Sequence, residues 1–369
     1  MVGLLLELPL FLLLWVAWIA VTTPTLGDFV TFRDAGDALL HGRTVYVEPT
    51  PALLAENDKF VYPAPLAALF VPFALMPLVA AELLFLALSV AALLAALKLL
   101  GVTDWRCYGV VFLTAPVITS TGVGAIAPFL LLGLAVCWRY RTRAASGAVC
   151  AVVALAKLFL WPALIWLIAT RRFRAAAVAL ATIGVLVGAW ILIDADGLRD
   201  YPRTLDVLND VMRWKSYSGQ SLAVALGLGG TAAEAISVAL ALTGIAAVVV
   251  FAARADGERR AFIAAVATGL LATPILWLHY LVLLLAPIAL VRPRLSPLWF
   301  APMAFWLSPH MESLGSAWRI AYVLVVTGGV VVFAATTSGA RAATSPFARR
   351  HGRSFHPTKR ELLTPNPSR

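Results

Sequence analysis

Charge is scarce in this sequence. Asp, Glu, Lys and Arg make up 13% of its 369 residues, whereas hydrophobic types make up 61%. That leaves too little polar surface to cover a soluble fold of this length, so a soluble protein is excluded and an all-α polytopic membrane protein is expected. Cysteine is nearly absent. Cys107, Cys137 and Cys150 lie in or beside apolar segments without C-x-x-C spacing, and read as small buried hydrophobes. Asp28 has no D-x-D partner, and Asp34 with Asp37 offers too few hard oxygen ligands for a cation, so neither a metal nor a cofactor is expected. A basic n-region and a small-residue cleavage site are also missing from the N-terminus, so Leu4 to Leu26 reads as a retained span, not a removed signal peptide.

Acidic residues are outnumbered 19 to 29 by Lys and Arg, giving a net charge of +10. The positions of the basic residues argue against a nucleic-acid partner, because no basic surface with interleaved aromatics exists outside the apolar runs. Arg139, Arg141 and Arg143 form one cluster, Arg171, Arg172 and Arg174 a second, Arg254, Arg259 and Arg260 a third, and Arg292 with Arg294 a fourth. Each borders an apolar helix end, the pattern of cytoplasmic loops. The tail from 336 to 369 is rich in Pro, Ser and Arg, and is expected to be disordered, cytoplasmic and attracted to anionic membrane lipids.

Placing every basic cluster on one side requires about twelve helices in a membrane domain over residues 1–335, with both termini cytoplasmic. Leu66 to Leu75 is too short to cross and reads as a re-entrant or interfacial helix ended by Met76-Pro77. The chain must go out and back between Arg106 and Arg139, turning near Ser120 to Gly124. It must do so again across Ala144 to Thr170, with Lys157 at the tip, and a third time with His279 at an outer tip. Shortened helices joined at membrane depth are tolerated only where protein or water covers the broken backbone, so they belong at a cavity. A second outer loop, Asp194 to Gln220, carries mixed charges including Arg213 and Lys215.

The polar island Gly27 to Pro65 follows the first span. A carboxylate at the mouth of a helix bundle is a functional hypothesis by default, and Asp28 is the leading candidate. Asp28, Phe32, Ala35, Ala38, Leu39, Gly42 and Tyr46, followed by Tyr62-Pro63-Ala64-Pro65-Leu66, resemble the opening of the polyprenol-phosphate-sugar-dependent glycosyltransferases of family 87, in the C-type membrane superfamily. Lys157 upstream of Pro162, the Ser218-Gly219-Gln220-Ser221-Leu222 turn, and Thr273-Pro274-Ile275-Leu276-Trp277-Leu278-His279-Tyr280 resemble later motifs of the family in order. Tyr280 stands where the family has a second His.

The resemblance implies a C-type fold in the cell membrane, an extracytoplasmic active site and transfer of a hexose, mannose first, from a polyprenyl-phosphate donor to a glycolipid or glycan acceptor of the cell envelope. It also implies inversion by single displacement, which needs one base. An alcohol is a poor nucleophile near neutral pH, so Asp28 is the expected base. Lys157 and His279, assisted by Arg213 and Lys215, are the expected holders of the departing phosphate. Tyr46, Tyr62 and Trp277 are expected to line the substrate.

Structural readings compete at each position. Asp28 is also a good N-cap for a helix starting at Phe29. Arg33 is spaced to pair with Asp37 on one helix face, which makes Asp37 structural. Lys157 can snorkel toward headgroups, and Trp277 can belong to an interfacial aromatic belt. The rival function is a transporter or flippase of lipid-linked sugars, for which two halves with corresponding broken helices are expected. Here the first long loop has no counterpart in the second half, which favours the enzyme.

Overall fold

A computed structural model of the chain describes residues 2–23, 26–56, 58–308 and 312–337. Among them are seventeen α-helices, three 3-10 helices and no strands. All but the first two residues of the expected tail lie outside the described residues.

Helix α1 (Val2–Thr22) is followed by the polar island, which folds into α2 (Gly27–Leu40) and the short helices α3 (Pro51–Ala55), α4 (Ala64–Ala68) and α5 (Val71–Ala74) before α6 (Leu78–Leu99). A side chain on Gly36 would place its Cβ 2.7 Å from the backbone of Phe70, so glycine lets α2 press directly on the chain entering α5. Phe29 and Phe32 of α2 are buried, and the Phe32 ring stacks on Phe70 at 4.7 Å between centroids. The polar island is therefore part of the core.

Helices α7 (Trp105–Val111), α8 (Ala115–Val123) and α9 (Ala127–Arg139) follow, with a 117° bend between α8 and α9. Gly124 ends α8 at φ 71°, a left-handed conformation that suits glycine, and Pro128 starts the next helix. Gly124 also lies against Phe29, where a Cβ would come within 2.6 Å of the Phe29 Cβ. Helix α10 (Ser146–Ala156) stops at Lys157, whose backbone is extended at φ −140° and ψ 101°. A 3-10 turn over Leu158–Leu160 then leads into α11 (Pro162–Ala169).

Helix α12 (Phe173–Met212) has 40 residues but contains a break at Asp194, where φ is −159° and ψ 84°. The Asp194 carboxylate accepts the Gly197 N–H at 2.7 Å and the Thr44 hydroxyl at 2.5 Å, so it caps a new helical start. The second outer loop expected from Asp194 onward is thus helical to Met212. Its helix turns Tyr201, Leu205, Leu208 and Met212 to one face. Then come α13 (Gly219–Ala225), capped by the Ser218 hydroxyl, α14 (Gly230–Ala252) and α15 (Glu258–Ala272). Thr273-Pro274 ends α15, a 3-10 helix over Leu278–Leu284 carries His279, and α16 (Leu285–Val291), a 3-10 segment over Pro297–Leu307 and α17 (Ala317–Thr336) complete the described chain.

Among the described residues five helices are long and apolar enough to cross a membrane, or six when α8 and α9 count as one span. The expectation of about twelve included shortened helices as well as full-length ones. Several are apolar pieces of 10–17 residues, including α10, the 158–169 segment, the 278–291 segment and the 297–307 segment.

The basic loops meet. Arg141 donates to the Glu258 carboxylate at 3.0 Å, and Arg172 binds the same carboxylate and the Arg141 carbonyl. The loop at Asp104 joins the Arg292–Arg294 loop through Thr103 N–H to the Pro293 carbonyl at 2.9 Å and Leu295 N–H to the Asp104 carboxylate at 3.2 Å.

Candidate active site

A cavity of about 410 Å³ opens where α2, the α10 break, the part of α12 after Asp194 and the 273–280 turn converge. Asp28, Tyr62, Lys157, Trp277 and His279 all line it. Each comes from a place where the sequence interrupts a helix or starts one.

Helix α2 begins at Gly27 with Leu26 as its N-cap residue, so Asp28 lies inside the first turn and makes no capping hydrogen bond. This corrects the N-cap reading and leaves the carboxylate free to face the cavity, where 29% of its side chain is accessible. Its Oδ2 is 3.9 Å from His279 Nε2. Burial pushes the Asp28 carboxyl up to about 6, opposed by the nearby Lys157 ammonium. A carboxyl in that range is ionised near neutral pH yet basic enough to take a proton from an alcohol in the transition state.

Lys157 donates to the Tyr62 hydroxyl at 2.9 Å and to the Tyr280 hydroxyl. Its Nζ lies 4.1 Å from the Tyr62 ring centroid and 4.4 Å from that of Tyr280, so two phenols hold the cation by hydrogen bonds and ring faces. Among the described lining residues the other cation, Lys59, is paired with Glu56 at 2.8 Å and Asp58 at 3.0 Å. Among the described residues no carboxylate lies within 4.0 Å of Lys157, which makes it the described lining cation available to an anion.

His279 is 4% exposed, and neither ring nitrogen has a hydrogen-bond partner among the described residues. The ring is held by packing, edge-on to Tyr280 at 4.4 Å, while Tyr280 rests on Phe159 at 5.1 Å. The turn before it is fixed by Thr273, whose hydroxyl donates to the Ile275 carbonyl at 2.9 Å, and by Tyr217 N–H to the Leu276 carbonyl at 2.8 Å. A buried imidazole with two idle nitrogens beside a carboxylate is a site waiting for a polar ligand.

The sequence model of glycosyltransferase family 87 matches residues 60–276, more than half of the chain. This chain belongs to glycosyltransferase family 87. No curated protein and no solved structure matches it. The matched stretch includes Tyr62, Lys157 and the Thr273–Pro274 turn, while His279 lies just past its end and Asp28 well before its start, and both reach the same cavity through the fold.

In this family 87 glycosyltransferase, three residues named with the site lie elsewhere. Arg213 is bound to the carboxylates of Asp210 and Glu234 and does not line the cavity. Lys215 donates to the Ala55 carbonyl at 3.1 Å and pairs at 3.5 Å with Glu312, which does line it. Tyr46 stands behind the wall, donating to the Tyr62 carbonyl at 2.8 Å with its ring beside Trp190 and Tyr201. The Arg33–Asp37 pairing is also corrected. Asp37 binds Arg43 at 2.6 Å, whereas Arg33 reaches the Met76 carbonyl at 3.3 Å.

Sequence reasoning did not assign Tyr280, Asn209, Glu312 or Tyr201 to the site, and all of them line the cavity. The 201, 205, 208, 212 spacing is a helical face legible in the chain, and a Tyr in place of a His keeps a hydrogen-bonding tip. Glu312 carried no local signal. Among the described residues no three His, Cys, Asp or Glu side chains gather as a metal site requires.

Proposed function

We propose that this glycosyltransferase moves a hexose, mannose first, from a polyprenyl-phosphate donor to a hydroxyl of an extracytoplasmic glycolipid or glycan of the cell envelope. The observation that carries this reading is the meeting of Asp28, His279 and Lys157 in one cavity. Asp28 takes the acceptor proton as the oxygen attacks the anomeric carbon. The bond from that carbon to the phosphate oxygen breaks in the same displacement, and the configuration inverts. Lys157 and His279 receive the developing negative charge on the departing phosphate. The phenols of Tyr62 and Tyr280 keep the ammonium oriented before the substrate arrives, which lowers the reorganisation needed during the reaction.

On this reading the protein is a C-type membrane enzyme of the cell membrane, with both termini cytoplasmic. The broken helices α8 to α11 and the 278–291 and 297–307 segments complete crossings or re-enter beside the cavity. Arg213 and Lys215 support the rim through Glu234 and Glu312 and steer the donor at longer range.

Incubation of purified protein with radiolabelled polyprenyl-phosphate mannose and envelope lipids tests the reading. Transfer of label to a lipid or glycan is expected. Movement of intact donor across a vesicle membrane without transfer would replace the enzyme by a flippase.

A further inference from the structure

Glu82 lies in the second turn of α6 and is fully buried. Its carboxylate faces the backbone N–H of Leu26 and the guanidinium of Arg33. Neither approach closes to a hydrogen bond, so both carboxylate oxygens are unpartnered among the described residues, as is Arg33 Nε. A buried charge without a closed partner is unfavourable, and Met or Gln would fit an apolar helix better. The reaction as described above does not use it.

Its neighbours indicate what it does. Leu26 is the N-cap position of α2 and supplies no capping side chain, so the first-turn N–H groups of that helix lack an intrahelical acceptor. Phe85, one turn after Glu82, packs on Phe29 at 4.8 Å between centroids, which sets the start of α2 directly over this face of α6. Arg33, two turns into α2, reaches over to the Met76 carbonyl just before α6 begins. The anion in α6 thus faces α2 at two places, Leu26 and Arg33, and Asp28 lies between them in sequence.

We propose that Glu82 is a positioning residue for Asp28. Its charge attracts the positive N-terminal end of α2 and the Arg33 guanidinium, and so fixes the height of the Asp28 turn against His279. The proposal rests on the glycosyl-transfer reading only for the effect on rate. The anchoring itself is independent of substrate.

The test compares wild type with Glu82→Met, Glu82→Gln and Arg33→Met in detergent. Hydrogen exchange of the amides at 27–33, the melting temperature and the kinetics of transfer are measured. In Glu82→Met, exchange of the hydrogen-bonded α2 amides at 30–33 is expected to speed up about tenfold or more while the melting temperature holds or rises. The same variant should lose about 10- to 100-fold in kcat with donor KM nearly unchanged, the signature of a displaced reacting group. Glu82→Gln, which keeps the shape and one acceptor, should lie between, and Arg33→Met should move exchange in the same direction. Unchanged α2 exchange and unchanged kcat in Glu82→Met, with a higher melting temperature, would show Glu82 to be only an unpaired core group. Wild-type protein that transfers no sugar would remove the proposed reaction, while the exchange result alone decides the anchor.

Discussion

Asp28 Oδ2 stands 3.9 Å from His279 Nε2, across a cavity that the two residues enter from opposite parts of the chain. That spacing is beyond a hydrogen bond, so neither group satisfies the other and both remain available to a ligand. A hydroxyl held between them would meet an acceptor for its proton on one side and a donor or acceptor nitrogen on the other.

Replacing Asp28 by Asn removes the proposed base while keeping size and shape. Steady-state transfer should fall by about two orders of magnitude or more, with donor affinity retained. Near-normal turnover in that variant would assign the base elsewhere. Stability should move the other way. With the folded carboxyl raised from 3.8 to about 6, folding favours the protonated form. The resulting stability is present below 3.8, is lost as pH rises through about 6, and stays lost above it. Asn avoids that loss, worth about 3 kcal/mol as a ceiling because Lys157 also loses its facing charge. The melting temperature at pH 7.5 is the measurement.

The same carboxyl sets a pH dependence. If its ionised form is required, kcat/KM should fall about tenfold per pH unit below about 6 and level off above it. A profile flat between pH 5 and 7 would rule out a base of this pKa.

Lys157 and His279 should behave as a unit toward the donor phosphate. Lys157→Met and His279→Ala should each weaken donor use, and the double variant should lose less than the product of the single effects. A double-mutant cycle on polyprenyl-phosphate-mannose turnover reads this directly. Wild-type rates in both single variants would return the two residues to packing roles.

Topology can be read without substrate. In a background lacking Cys107, Cys137 and Cys150, Arg43→Cys should label from outside the cell and Arg141→Cys only after permeabilisation. The opposite pattern would invert the orientation taken from the basic loops.

Asp37 provides a contrast to Asp28. It is bound to Arg43 near the surface, so Asp37→Asn should leave turnover per folded molecule intact and change stability by about 0.5 kcal/mol or less. An inactive, folded Asp37→Asn protein would make it a rival base.

Much of the site was legible because its residues sit where the chain changes character. Asp28 opens a polar island, Lys157 interrupts an apolar run, and His279 follows a Thr-Pro break. What the sequence hid depended on backbone direction. Gly42, at φ 65°, turns the chain back over the end of α2, so Arg43 reaches Asp37 from six residues away and the i, i+4 rule chose the wrong partner. Hydropathy likewise shows that a segment is apolar, not whether a shortened helix completes a crossing, so the expected twelve helices include pieces that length alone does not make spans. Glu82 was readable and missed, since a carboxylate inside a Leu- and Ala-rich run is unusual on composition alone. Arg213 and Lys215 looked like donor ligands because their carboxylate partners, Glu234 and Glu312, are remote in sequence.

The single carboxylate of Glu258 that gathers Arg141 and Arg172 has a mechanical meaning. Helices α10, α12 and α15 all start beside this ionic knot, and from it they run to Lys157, to Tyr201 and Asn209, and to the turn before His279. The helices that lead to those site groups therefore share one origin, although α12 is broken at Asp194 on the way. Asp28 has no such root, because α2 rests on α4 and α5, with Phe29 against Phe85 of α6. The base and the phosphate-holding groups are thus placed by two separate sets of contacts, one on the α6 side of the cavity and one at the knot.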